Sequence, residues 1–146
     1  IVMKMAEIKV IKPKGVITPG QAKQLNNNWS EFREAAVDSA AKRQGRDKDN
    51  RSTWWSIADI ENYLAYAKQQ TDSLKYDISG IRVYLGVYGD NAGRTKKNLS
   101  TMFLVPTMKG KAKASMNPFY FQGEGGDCEE CDPLNDGHGG DGSYPN

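Results

Sequence analysis

The 146-residue chain holds one histidine, His138, and two cysteines, Cys128 and Cys131. A single histidine excludes most histidine-built metal centres, and two cysteines exclude a disulfide-dense scaffold. No apolar run approaches the roughly 20 residues that a membrane-crossing helix needs. The 15 glycines follow no period, so the chain is not collagen-like. The phosphate-loop motif G-x-x-x-x-G-K-[ST], the nucleophile elbow G-x-S-x-G and the zinc-protease motif H-E-x-x-H are all missing. Lys4, Glu7, Lys9 and Lys12 interrupt the N-terminal stretch, which therefore lacks the apolar segment of a signal peptide. These absences point to a cytoplasmic protein. Export is the alternative, if a signal once preceded Ile1.

What is present is charge, unevenly placed. Residues 1–115 carry all 20 Lys and Arg against 11 acids, a net of +9. Residues 116–146 carry the other 7 acids and no Lys or Arg, a net of −7. The expected organisation is a basic α+β domain over 1–115 followed by an acidic Gly/Asp-rich tail over 116–146.

Within the body, Thr18-Pro19-Gly20-Gln21 predicts a helix start: a capping threonine, a proline at the first helical position and a glutamine completing a capping box. Ala22, Leu25, Trp29, Phe32, Ala36 and Ala40 continue at spacings of three and four, one apolar face about six turns long. Gly45 predicts its end. A weak alternation over 7–12 suggests a strand before Pro13. Trp54 and Trp55 suggest a short strand. Ser56 with Asp59 caps a second helix carrying Ile57, Ile60, Tyr63, Leu64 and Ala67. Ile81, Val83, Leu85 and Val87 then alternate with Arg82, Tyr84 and Tyr88, a strand with its apolar side toward the core. A polar loop over 89–98 leads to a second strand, Leu99 to Val105, ended by Pro106. Two adjacent strands joined by one loop predict an antiparallel hairpin. The predicted fold is α+β: two amphipathic helices on a small, mainly antiparallel sheet, with an irregular C-terminal tail. Trp29, Phe32, Ile57, Leu64, Val83, Leu85, Phe103 and Val105 are its expected core, so Leu85→Ala should cost about 2–5 kcal/mol.

The run Gly80-Ile81-Arg82-Val83-Tyr84-Leu85-Gly86-Val87-Tyr88, followed by a polar loop and Met102-Phe103-Leu104-Val105-Pro106-Thr107, resembles small uncharacterised proteins of Bacteroidota. The resemblance covers about residues 56–107, and some of those proteins end in a short Cys- and Gly-containing tail. It implies no activity, so no residue role is carried over from it.

The one candidate site lies in the tail. Cys128 and Cys131 are spaced C-x-x-C, which lets two thiolates reach one zinc ion. His138 is the candidate third ligand, and the fourth is Asp136, with Asp132, Asp141, water or a neighbouring chain as alternatives. The alternatives are a Cys128–Cys131 disulfide, a calcium site built from the tail's Asp and Asn oxygens, and no covalent or metal role. Redox catalysis is disfavoured, because Glu129, Glu130 and Asp132 raise a neighbouring thiol's pKa. Phe119, Tyr120 and Phe121 are expected anchors for the start of the tail. The acid pairs Asp47/Asp49 and Asp59/Glu61 read as surface.

The function these residues favour is a non-catalytic structural or protein-interaction module. Its acidic tail, ordered by a metal if zinc is bound, docks on its own body or on a neighbouring subunit. Self-association or another protein is the expected partnership. A small enzyme using a pocket near Arg82 and Tyr84 is the alternative. A nucleic-acid binder working through basic segments 42–51, 94–97 and 109–113 is the third.

Overall fold

A computed structural model describes residues 9–110 and 125–146. The elements run α1 (Pro19–Phe32), α2 (Glu34–Arg43), β1 (Ser52–Trp54), α3 (Ile57–Ser73), β2 (Tyr76–Val87), β3 (Ser100–Gly110), β4 (Gly126–Asp127) and β5 (His138–Gly140). The fold is α+β, with one antiparallel sheet in the order β2-β3-β4 and a second made of β1 and β5.

The local signals act as their chemistry requires. The Gln21 amide donates to Thr18 Oγ1 at 3.1 Å, and the Thr18 amide donates to Gln21 Oε1 at 2.9 Å, closing the capping box. Ser56 Oγ accepts the Asp59 amide at 3.0 Å and starts α3. Gly45 ends α2 with φ +85°, a conformation that costs glycine little. The single long helix expected over 19–44 is instead two, because Arg33 leaves helical dihedrals at φ −130°. The described part of the 7–12 segment, Lys9–Lys12, is not a strand.

Strands β2 and β3 form the expected antiparallel hairpin, in register from Tyr76↔Gly110 to Val87↔Ser100 with one irregularity between Ile78 and Gly80. Pro106 does not end β3; it sits inside the ladder opposite Ile81. Its carbonyl accepts the Cys128 amide at 2.8 Å. Proline has no amide to offer the neighbouring chain, and the C-terminal segment leaves the ladder at this point.

The core is smaller than expected and differently composed. Tyr63, Ala67 and Leu104 form its centre, with Trp55, Ile60, Ile78, Ile81 and Leu134 packed around them. A second cluster joins Met108, Cys128 and Cys131 to Leu74 and Tyr76. Of the eight predicted core residues, Val105 is buried and Trp29 and Phe103 are half-buried. Phe32 (62% exposed), Ile57 (73%), Leu64, Val83 (55%) and Leu85 (73%) are not in the core. Two causes account for this. Helix α3 buries the row Tyr63, Ala67 and Thr71, one turn apart, so Ile57 and Leu64 rotate outward. Strand β2 is an edge strand; Val83 and Leu85 share the face of their partners Leu104 and Met102, but the cover that buries Leu104 does not extend over them.

Candidate functional site

The C-terminal segment reaches the polar face of β2 through Asp127. The Asp127 carboxylate accepts hydrogen bonds from the Arg82 guanidinium and the Tyr84 hydroxyl. The Tyr84 phenol is held above its ordinary pKa first by that hydrogen bond to Asp127. On the same face Tyr84 stacks on Phe103, with ring centroids 5.4 Å apart. An open hollow of about 320 Å³ lies between these rings and the Cys128–Cys131 link.

The C-terminal segment pairs with β3 at two places. Gly126 and Asp127 pair with Met108 and Thr107. Leu134 and Leu104 then exchange both main-chain hydrogen bonds, at 2.8 and 3.0 Å. Between these pairings the chain loops out, and Cys128 and Cys131 close the loop as a disulfide with Cα atoms 5.3 Å apart. Both cysteines are buried.

Side chains of α3 hold the loop from the other side. The Tyr63 hydroxyl donates to the Asp132 carbonyl at 2.9 Å. Tyr66 and Gln70 donate to Asp132 Oδ2 at 2.6 and 2.9 Å, and the Asp132 amide returns a bond to Gln70 Oε1 at 2.9 Å. The Tyr66 hydrogen bond, and then that from Gln70, hold the Asp132 carboxyl below its ordinary pKa. The same contact raises the Tyr66 phenol.

Further along, Trp55 Nε1 donates to the Asn135 carbonyl at 2.9 Å, and the Tyr88 hydroxyl donates to Asn135 Oδ1 at 2.7 Å. Asn135 Nδ2 donates to the Met102 carbonyl at 2.8 Å. The segment then pairs with β1 as β5, with His138 opposite Trp54. Near the end, the Tyr144 amide donates to Asn26 Oδ1 at 2.9 Å, fastening the segment to α1.

The four expected zinc ligands are not gathered. Cys128 and Cys131 are disulfide-bonded, and disulfide sulfurs are not the thiolates a zinc site needs. His138 packs its ring edgewise on Trp54, with centroids 5.3 Å apart. Asp136 is ion-paired with Lys96. Among the described residues no three His, Cys, Asp or Glu side chains form a group able to hold a metal ion. The expected anchors Phe119, Tyr120 and Phe121 lie outside the described residues.

Charge holds the segment less than the +9 and −7 split suggests. Among the described residues its ion pairs to the body are Arg82–Asp127 and Lys96–Asp136. Main-chain pairing, hydroxyl and amide hydrogen bonds, the half-buried Leu134 and the buried cysteine side chains make up the rest of the attachment. Leu134 was the missed anchor, although it is the sole aliphatic side chain between residues 122 and 146.

The basic segments carry other duties. Arg46 donates to the Lys97 and Arg94 carbonyls at 2.8 and 2.7 Å, binding 42–51 to 94–97. Arg51 reaches Glu34 at 3.5 Å. Asp49, expected at the surface, is buried. Its Oδ1 accepts the Asn50 and Ser100 amides at 2.8 and 2.6 Å, and its Oδ2 accepts the Ser100 hydroxyl at 2.5 Å.

The hairpin face that carries Leu104 is covered by α3 around Leu104 and Ile81 and is left exposed toward the β2 edge. Val83, Leu85 and Val87 (59% exposed) form an apolar row there. At its end Trp29, Val37, Leu85 and Met102 line a cleft of about 310 Å³ between the helices and the sheet. Among the described residues no helix is long and apolar enough to cross a membrane. No family model, curated protein or solved structure matches the chain.

Proposed function

We propose that this protein is a non-catalytic interaction module in which the acidic C-terminal segment is a structural strap, bound to the chain's own body, and the exposed apolar row at the β2 edge receives a partner. The observation that carries the reading is the reciprocal Leu104–Leu134 pairing beside the Cys128–Cys131 loop. Those contacts give residues 125–146 a share of both apolar clusters. The row Val83, Leu85 and Val87 supports the second half, because apolar side chains left together on a soluble domain mark a contact surface.

The disulfide also bears on location and on metal. Disulfides persist in oxidising compartments, which supports the exported alternative over the cytoplasmic one. Zinc belongs to the reduced form of the chain, since only free thiolates bind it.

The test replaces Leu134 with Asp in the full chain. A carboxylate at this half-buried position, packed against the core, opposes the docking and should release the strap. Limited proteolysis should then cut between residues 125 and 146 far faster than in the parent protein. Reduction of the disulfide should act in the same direction. If the variant's strap stays protected and its melting temperature is unchanged, residues 125–146 are not a structural strap.

A further inference from the structure

The order β2-β3-β4 leaves β2 at a sheet edge. Which of its backbone groups point outward follows from the ladder. The Tyr88 amide donates to the Leu99 carbonyl, so Tyr88 faces β3. Main-chain direction alternates along a strand, so Gly86, Tyr84 and Arg82 face β3 as well. The N–H and C=O groups of Val83, Leu85 and Val87 therefore point away from it. The other strand agrees: Leu104, opposite Val83, gives its amide and carbonyl to Leu134 on the far side. Among the described residues no strand pairs with the outward groups of Val83, Leu85 and Val87.

The same three residues expose their side chains. Sheet edges are normally blunted by charge, proline or a bulge, because an open edge is a template for another strand. Between Val83 and Val87 this edge has none of these; the irregularity in β2 lies earlier, between Ile78 and Gly80.

We infer that the β2 edge pairs with the same edge of a second copy, in an antiparallel two-fold dimer centred on Leu85. The row Val83-x-Leu85-x-Val87 reads the same in both directions, which is what an isologous contact requires. With the axis at Leu85, Val83 of one copy lies opposite Val87 of the other, and Leu85 opposite Leu85. All three pairs are of the hydrogen-bonded kind, so each exchanges two main-chain bonds. One face of the joined sheet then carries the row Met102–Leu85–Leu85–Met102, because Met102 is the β3 partner of Leu85. Arg82 falls opposite Tyr88, so no like charges meet. This pairing rests on the interaction-module reading and names its partner.

The experiment measures the solution mass of the full chain across a wide concentration range, together with hydrogen exchange at individual amides. The expected result is a dimer that dissociates on dilution, with the Val83, Leu85 and Val87 amides protected only in the dimer. Leu85→Lys should raise the dissociation constant at least about thirtyfold, as for a central interface residue. Leu85→Pro removes an outward amide that β3 does not use, and should do the same. Near-UV circular dichroism identifies a variant that fails to fold, and the exchange pattern of the parent chain carries the test in that case. A full chain that stays monomeric overturns the proposal. So does a dimer with these amides unprotected, or a monomer with them protected, which would mean that another segment occupies the edge. None of these results depends on the strap, which proteolysis of Leu134→Asp reads separately.

Discussion

Gly137 shows how a single residue changes meaning once the chain is folded. In sequence it belongs to a loose run, Gly137-His138-Gly139-Gly140. In the structure a Cβ at Gly137 would stand 2.5 Å from Thr53 Cγ2, 2.8 Å from Trp55 Cε2 and 2.9 Å from the Trp54 carbonyl oxygen. The glycine is there because β1 and the Trp55 ring approach too closely for any side chain. Gly137→Ala should lower stability by about 1–3 kcal/mol, the usual cost of overpacking, seen as a lower urea midpoint with an unchanged slope. A midpoint equal to the parent's would mean that the strap shifts at no cost. Asp49 makes the complementary case. Its place in a run of charges reads as surface, yet it accepts two amides and a hydroxyl that would otherwise be unsatisfied where α2 meets β3.

At the scale of elements, alternation along β2 and the side it turns toward the core were legible, and how far that side is covered was not. The side with Ile81, Val83, Leu85 and Val87 is the more apolar, so the pattern alone turns it inward. The register agrees, since Val83 lies opposite Leu104, but burial also requires cover. On this one face the α3 residues Tyr63 and Ala67 pack with Leu104, Ile78 and Ile81, while Val83, Leu85 and Val87, nearer the hairpin loop, stay exposed. The two leucines of the hairpin therefore separate. Leu104→Ala should cost about 2–5 kcal/mol, because Leu104 sits at the centre of the core. Leu85→Ala, measured in dilute monomer, should cost under about 0.5 kcal/mol. Chemical denaturation of both variants decides this, and equal losses would place Leu85 in the core. Helix starts were readable from sequence because capping boxes and N-caps act over three residues. The break at Arg33 carried no such local mark.

Across the whole molecule, pH should act on the strap from both ends. The Asp132 carboxyl has a folded pKa below its ordinary value of 3.8, first through the Tyr66 hydrogen bond. The stability it contributes is complete above that ordinary value and is lost as pH falls through the folded one. The Tyr66 phenol is raised above 10.0 by the same contact, so its contribution is complete below 10.0 and is lost as pH rises through its folded value. Melting temperature against pH should therefore fall at both limits, and Asp132→Asn should flatten both. An unchanged profile in that variant would show that the Asp132 contacts do not couple to folding.

Local chemistry alone determined the α+β class, the capped helices, the antiparallel hairpin and the C-x-x-C pair, because each depends on residues a few positions apart. Only the tertiary structure decided that the Gly/Asp-rich segment is a strap, that the two cysteines bond to each other while His138 and Asp136 go elsewhere, and that the β2 row Val83, Leu85 and Val87 stays exposed. Those outcomes depend on contacts between distant parts of the chain, such as Tyr63 with Asp132 and Leu104 with Leu134. Composition measures how soluble a segment is by itself. It does not measure the backbone pairing and close approach that become available once β3 offers an edge and β1 offers a partner.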